Sequence, residues 1–509
     1  MNKVYSAAIT GLEAELVEVE ADLSSGLRFF TIVGLPDKSV EESKERIAAA
    51  IKNSGAEPPQ KHNKRVIINL APADLRKEGS GYDLPIAISF LLSSQQIDFN
   101  PNDKLFIGEL ALNGDLRGIN GILPVCLMAK EKGIKTVFVP KNNSPEARLV
   151  DDIEIIPIQS LGELIGFLEK RIEIKPLEPI SLENIVFDSN PYPIDMAHVK
   201  GQENAKRAIE IAASGNHNLL MTGPPGSGKT LLAKAIPSIL PKMTKEEILE
   251  VTKIYSVAGK LSPNKPFMSR RPFRSPHHSA SEASLIGGGG FARPGEITLA
   301  HRGVLFIDEF PEIHRDVLES LRQPLEDGLV SVSRAKGSHT YPARFILVAA
   351  MNPCPCGYYN DPEKQCTCAP NQVTRYQKKI SGPIMDRIDL YVEVPHVKYE
   401  KLTDEKISGS SNEIRERVEF ARKIQIERFK NDGIITNSEM NIELIKKHCQ
   451  ADSEGEKLLR NAVDNLHLSA RGYHRILKLA RTIADLANSL SISRDHIAEA
   501  LQYRPKQEI

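Results

Sequence analysis

The spacing of apolar and polar positions divides the chain into three stretches. Up to about residue 170 it is mixed α/β. Arg28-Phe29-Phe30-Thr31-Ile32-Val33-Gly34-Leu35 and Arg65-Val66-Ile67-Ile68-Asn69-Leu70 read as strands ended by turn residues. From Ser39 to Ser54 the spacing predicts a helix, with Ile47, Ala50 and Ile51 on one face and Gly55 just past its end. Phe106 to Arg117 predicts two short strands joined at Asn113-Gly114, a strong hairpin signal. Between Arg171 and Asp195 the period lapses, and Pro176, Pro179, Pro191 and Pro193 mark a linker over 171–195. A helix is expected from Asn204 to Ser214. Three apolar runs follow, Asn218–Met221, Gly303–Ile307 and Ala343–Met351, of the kind that forms buried strands in an α/β sheet. From about Asn412 the pattern is helical.

The first of those runs leads into Gly223-Pro224-Pro225-Gly226-Ser227-Gly228-Lys229-Thr230, a Gly-x-x-x-x-Gly-Lys-Thr loop with a strand before it and a helical pattern from Leu231. Glycines at 223, 226 and 228 let backbone N–H groups converge on phosphate oxygens. The helix N-terminus adds partial positive charge at the same point. Lys229 is expected on the β- and γ-phosphates of ATP and Thr230 on Mg²⁺. Pro237 predicts that the helix behind the loop is short or kinked. The second run delivers Asp308 and Glu309 at its end, suited to holding Mg²⁺ and polarising the attacking water respectively. The third ends in Asn352, which otherwise serves only to stop the strand before Pro353.

Composition narrows the setting. A chain of 509 residues implies two to four domains, and a formal net charge of zero leaves any nucleic-acid surface to be local. No signal-type apolar region follows Met1, and no apolar run approaches the length of a membrane span, so a cytoplasmic protein is expected. Local charge does stand out. Lys260, Lys265, Arg270, Arg271, Arg274, Arg293 and Arg302 face only Glu282 and Glu296 in a stretch that includes the turn-rich Gly287–Gly295. Gly328 to Gly337 predicts a hairpin with Arg334 and Lys336 near its tip. Basic loops of this kind engage phosphate by charge neutralisation. Cys354, Cys356, Cys366 and Cys368 lie in one short loop and suit a tetrahedral Zn²⁺ site, with reduced thiols or a redox pair as alternatives.

Around these residues the chain resembles known families. Lys77-Glu78-Gly79-Ser80-Gly81-Tyr82-Asp83, Gly108-Glu109-Leu110 and Gly118–Pro124 are similar to the proteolytic domain of Lon-type proteases, with its ribosomal S5 domain 2-like α+β fold. Those enzymes use a Ser–Lys dyad. The serine position falls on Gly81 and the lysine position on Leu123, and Ser80 is one place off, so the resemblance implies a scaffold without peptidase activity. From about Val199 the chain resembles AAA+ ATPases. That implies a water-positioning role for Asn352 and an arginine supplied in trans, which Ser381–Leu390 places at Arg387. The alternative for Arg387 is a surface pair with Asp386 or Asp389. The helical tail from about Asn412 resembles the AAA+ lid, and its basic helix Leu468–Arg481 places Arg471 or Arg475 on the nucleotide, with the choice open, or both on a solvated basic face.

The insertion before Asp308 and the basic hairpin before Asn352 resemble the magnesium-chelatase and replicative-helicase branch, in whose helicases such loops face a ring pore and grip DNA. Taken whole, the chain resembles the YifB/ComM family of magnesium-chelatase-like AAA+ proteins. The implied fold is α/β multidomain: a Lon protease-like domain over 1–170, a P-loop NTPase α/β sandwich over 196–400 and a helical lid over 401–509. The implied function is an ATP-driven hexameric ring translocating on DNA, with DNA contacts at Arg293, Arg334 and Lys336. Two alternatives stand beside it: a motor remodelling a metal-insertion partner, and an assembly module gated by ATP.

Overall fold

The structure is a computed structural model, described here for residues 3–61, 64–180, 192–262, 264–288, 293–334, 337–397, 409–465 and 468–504. Its contacts form two compact units. One comprises Met1–Phe187 with Lys245–Ser269, the other Asp188–Thr244 with Arg270–Ile509.

The first unit is built on a seven-stranded sheet. Its strands are β1 (Lys3–Thr10), β2 (Glu13–Ser25), β3 (Phe29–Val33), β4 (Lys64–Ala71), β5 (Lys104–Phe106), β8 (Thr136–Pro140) and β9 (Glu154–Ile158), while β6 (Glu109–Leu110) and β7 (Leu116–Arg117) form the hairpin expected at Asn113-Gly114. The order is β3-β4-β2-β1-β5-β8-β9, antiparallel where β2 meets β1 and β4 and parallel elsewhere. The helix expected at Ser39–Ser54 runs Lys38–Asn53, and Asp37 caps it by accepting from the Val40 N–H at 2.9 Å. Its Ile47, Ala50 and Ile51 are buried, as the spacing predicts.

Gly81 faces Ile119 and Ile107, and Leu123 is fully buried. Ser80 donates to the Glu109 carboxylate, and the buried Lys77 donates to the carbonyl of Pro72.

Lys245–Ser269 departs from a continuous core over 196–400. The helix Lys245–Val257 turns Ile248, Val251, Ile254 and Tyr255 inward, and it packs on the helix Ile122–Glu131 of the first unit. Periodicity shows that such a helix has an apolar face. It does not show which surface covers it. Here the cover is completed by a buried carboxylate: Glu146 accepts from the Leu123 N–H at 2.9 Å and from the Ser256 hydroxyl. The Gly121 N–H also donates to the Ser256 carbonyl at 3.2 Å.

The second unit holds a five-stranded, all-parallel sheet in the order β11-β14-β17-β10-β18. These strands are Phe273–Arg274 (β11), Val304–Ile307 (β14), Ile346–Met351 (β17), Leu219–Thr222 (β10) and Leu390–Glu393 (β18). Two antiparallel pairs stand apart from it: β12 (Gly287–Gly288) with β13 (Arg293–Pro294), and β15 (Leu329–Arg334) with β16 (Gly337–Pro342), the hairpin expected from Gly328. The helix expected at Asn204–Ser214 runs Glu203–Gly215. The C-terminal helices, among them Ser411–Arg428, Ala470–Leu486 and Arg494–Gln502, share one apolar core with the sheet. Ile209, Leu219, Phe306 and Val348 belong to the same cluster as Val418, Leu477, Ile483 and Ile497.

Burial pushes the Glu146 carboxyl up to about 7. A carboxyl whose folded pKa is raised binds its proton more tightly when folded, so stability is present at low pH and is lost as pH rises from the unfolded value toward 7. Glu146→Gln removes that loss. Its melting temperature should therefore rise relative to wild type by more at pH 7.5 than at pH 5, with an upper bound of ~3 kcal/mol. A difference between the two proteins that does not change with pH would refute the assignment.

Candidate functional site

Strand β10 and its neighbour β17 run parallel, with Thr222 opposite Met351, and the Gly223 N–H donates to the Met351 carbonyl at 3.2 Å. The two chains therefore leave the sheet side by side at its carboxyl edge, where ligands bind in open α/β sheets. From β10 comes the glycine loop. A Cβ on Gly223 would lie 2.1 Å from the Val394 carbonyl oxygen, so only glycine fits there. Gly226 and Gly228 have φ of 78° and 93° and turn the loop into the helix Lys229–Ala235. That helix stops at a 3-10 turn, Ile236–Ser238, where Pro237 predicts a break.

The buried Lys229 ammonium donates to the carbonyls of Gly223 at 2.7 Å and Pro224 at 2.9 Å, and to Asn352 Oδ1 at 3.3 Å. Burial lowers its pKa. The Thr230 hydroxyl donates to Asp308 Oδ2 at 2.8 Å, and Asp308 Oδ1 accepts from the Glu309 N–H at 2.9 Å. Glu309 holds φ of 50°, a left-handed conformation that is uncommon outside glycine. The expected loop, Asp308, Glu309 and Asn352 thus meet at one edge. The cluster can take a nucleotide's phosphates on the loop N–H groups and Lys229, and a divalent cation between Thr230 and Asp308.

The expected arginines lie elsewhere. Asn218, one residue before β10, donates from Nδ2 to the Arg387 carbonyl at 2.9 Å and accepts from the Asp389 N–H at 2.9 Å. Arg387 is thereby tied to the amino edge of the sheet. The four residues of β10 separate that edge from the loop by about 13 Å. The Arg387 side chain donates to the Pro383 carbonyl at 2.6 Å and pairs with Glu326, so its carboxylate is neither Asp386 nor Asp389. Arg471 reaches the same Glu326 at 3.4 Å. Arg475 donates to the Ile388 carbonyl at 2.9 Å and lies 3.5 Å from Asp389. All three arginines line one open cleft of about 730 Å³, together with Arg344 and Lys478.

Of the basic positions, Arg293 is exposed on β13. Arg334 ends β15, and its side chain lies outside the described residues, as does Lys336 altogether. The four cysteines do converge: their sulfurs all lie within 4.8 Å of one another, with Cys354 buried. Backbone N–H groups of Tyr358 and Thr367 hold the Cys356 thiol well below its usual value, while burial and the neighbouring thiols hold Cys366 and Cys368 above theirs.

Three contacts escape sequence reasoning. His278 Nδ1 lies 3.1 Å from Glu309 Oε2. The β11–β14 register, with Phe273 opposite Val304, would bring His278 level with Glu309, but only once the strands are known to be paired. Gly357 touches Pro225, and Glu326 anchors two of the arginines. No local pattern marks either.

Gly223→Ala forces a methyl group against the Val394 carbonyl. Nucleotide affinity, read by fluorescent-nucleotide titration, should fall by about tenfold or more while the first unit keeps its own fold. An unchanged Kd would sink the close-approach account.

Comparison with known proteins agrees with this geometry. The family described as magnesium chelatase, subunit ChlI, matches residues 195–402, its C-terminal part matches residues 408–504, and a further description, subunit ChlI of Mg-chelatase, matches residues 19–143. The competence protein ComM of Haemophilus influenzae is 44% identical over 504 residues, covering 98% of this chain and 97% of that protein. The uncharacterized protein YifB of Escherichia coli is 42% identical over 503 residues, covering 98% and 96%. The Lon protease of Mycolicibacterium smegmatis is 25% identical over 170 residues, 31% of this chain and 21% of its own length, a weak and partial likeness. Full-length identity to ComM and YifB, on a parallel sheet that presents the glycine loop, Asp308 and Asn352 at one edge, makes the chain a member of the YifB/ComM family of magnesium-chelatase-like AAA+ proteins.

Proposed function

We propose that the chain is an ATP-hydrolysing ring motor that moves on DNA in the cytoplasm, of helicase or branch-migration type and serving recombination or natural transformation. The observation that carries this reading is the division of the nucleotide chemistry between opposite edges of one sheet. Lys229, Thr230, Asp308, Glu309 and Asn352 stand at the carboxyl edge, and Arg387, Arg471 and Arg475 stand around the cleft at the amino edge. Arginines held at the edge opposite their own loop serve a neighbour's loop instead. A closed ring, a hexamer in this reading, gives every copy one such neighbour on each side.

In that ring Lys229 and the loop N–H groups hold the phosphates of ATP, and Thr230 and Asp308 hold Mg²⁺. Glu309 takes a proton from the attacking water, and Asn352 orients that water. Arg387 of the next subunit neutralises charge on the transferred phosphoryl group, and one of Arg471 and Arg475 senses the nucleotide. The basic insertion with Arg293 and the hairpin with Arg334 and Lys336 line the pore and grip DNA phosphates. The amino-terminal unit cuts no peptides, because neither Gly81 nor Leu123 supplies a nucleophile or a base. The four cysteines hold a structural Zn²⁺.

Two measurements test this. Lys229→Ala and Arg387→Ala subunits should each lose at least about 10³-fold in turnover, yet mixed rings should recover activity, since a Lys229→Ala subunit still lends its arginine to an Arg387→Ala neighbour. Exchange of subunits without recovery excludes an arginine acting in trans. ATP turnover should also rise with single-stranded and forked DNA, and DNA affinity should fall steeply with salt. Arg334→Ala with Lys336→Ala should flatten that salt slope and leave DNA-free hydrolysis near wild type. Absence of DNA binding at low salt would shift the function to a metal-insertion partner or to assembly alone.

A further inference from the structure

The cysteine loop is more than an appendage of the core. It leaves β17 directly after Met351, beside the glycine loop leaving β10 after Thr222. Asn352, the first residue beyond β17, accepts from Lys229 at 3.3 Å. Cys354 follows two residues later and is fully buried. The Gly357 N–H donates to the Cys354 carbonyl at 3.0 Å, closing a tight turn around the first two sulfurs. At the tip of that turn Gly357 has φ of 87°, and a Cβ built there would lie 2.5 Å from Pro225 Cδ and 2.7 Å from Cγ. The turn that carries two of the four sulfurs therefore rests on the ring of Pro225, in the middle of the phosphate-binding loop. Elsewhere the cysteine loop is tied down by Gln377, which donates to the Pro353 carbonyl at 3.2 Å.

We infer that the Cys354–Cys368 metal knuckle is a wall of the nucleotide site, and that metal occupancy there sets how tightly the phosphate loop holds ATP. This rests on reading the four cysteines as a Zn²⁺ site. The four sulfurs sit close enough to share one ion. Bound together, they lock the Cys354–Gly357 turn against Pro225 and fix where Asn352 leaves the strand. Without the ion, four thiols crowded within 4.8 Å have no common partner, and the turn is free to part from Pro225. The wall acts through packing and not through chemistry on the phosphates. Its loss should weaken nucleotide binding while the sheet that carries the loop stays folded.

The test begins with purified full-length protein made without chelator. Plasma emission should find ~1 zinc per chain. Zinc absent from such protein overturns both the metal site and the wall. The ion is then withdrawn with a thiol-competitive chelator, the chelator is removed, and Mg²⁺ is restored equally to stripped and loaded samples. Fluorescent-nucleotide titration should show the Kd weakened by about tenfold in the stripped protein and recovered on adding zinc alone, with circular dichroism unchanged. A second arm keeps the thiols. Gly357→Ala should retain zinc yet weaken the nucleotide by a similar factor, because the methyl group pushes Pro225 aside. If Gly357→Ala loses its zinc, Pro225→Ala, which removes the contact from the other side, replaces it in that arm. Zinc present with nucleotide affinity indifferent to both stripping and the contact variant leaves the metal site standing and overturns the wall.

Discussion

Everything at the carboxyl edge depends on one pairing, the parallel ladder between β10 and β17. Leu219 to Thr222 lie opposite Val348 to Met351. Both strands are buried, so their register is held by apolar packing on both faces as well as by backbone hydrogen bonds. Because the two strands end level, the glycine loop and the cysteine loop emerge as neighbours. Lys229, Asn352, Pro225 and Gly357 can then meet although they are more than a hundred residues apart in pairs. A slip of one residue in that ladder would turn each side chain to the opposite face and separate Asn352 from Lys229.

The same sheet also accounts for what is missing from the site. A parallel strand has two ends. The phosphate groups belong to one of them, and Asn218 fastens the Arg387 segment to the other. Glu326 pairs with both Arg387 and Arg471 at the cleft. One chain therefore carries Lys229 at one end of these strands and Arg387 at the other.

Legibility in the sequence followed the range of the interaction. The glycine loop, the Asp308-Glu309 strand end and the Asn113-Gly114 and Gly328–Gly337 hairpins are written in consecutive residues, and each appears where the pattern places it. The helix break at Pro237 is local too. His278 beside Glu309, Gly357 on Pro225 and Glu326 under Arg387 depend on strand order and loop path, which leave no local trace. The Lys245–Val257 helix shows the same limit on a larger scale: its burial on Ile122–Glu131 is decided by a surface more than a hundred residues earlier.

The glycine loop, the acidic strand end and the clustered thiols are legible in residue type and spacing alone, because each is a short-range device. Where these devices lie relative to one another came with the fold. The order β11-β14-β17-β10-β18 sets the loop, the acids and Asn352 at one edge and the arginines at the other. The physical reason is that side-chain identity is local information, while the distance between two ends of a buried strand exists only once the strand is paired.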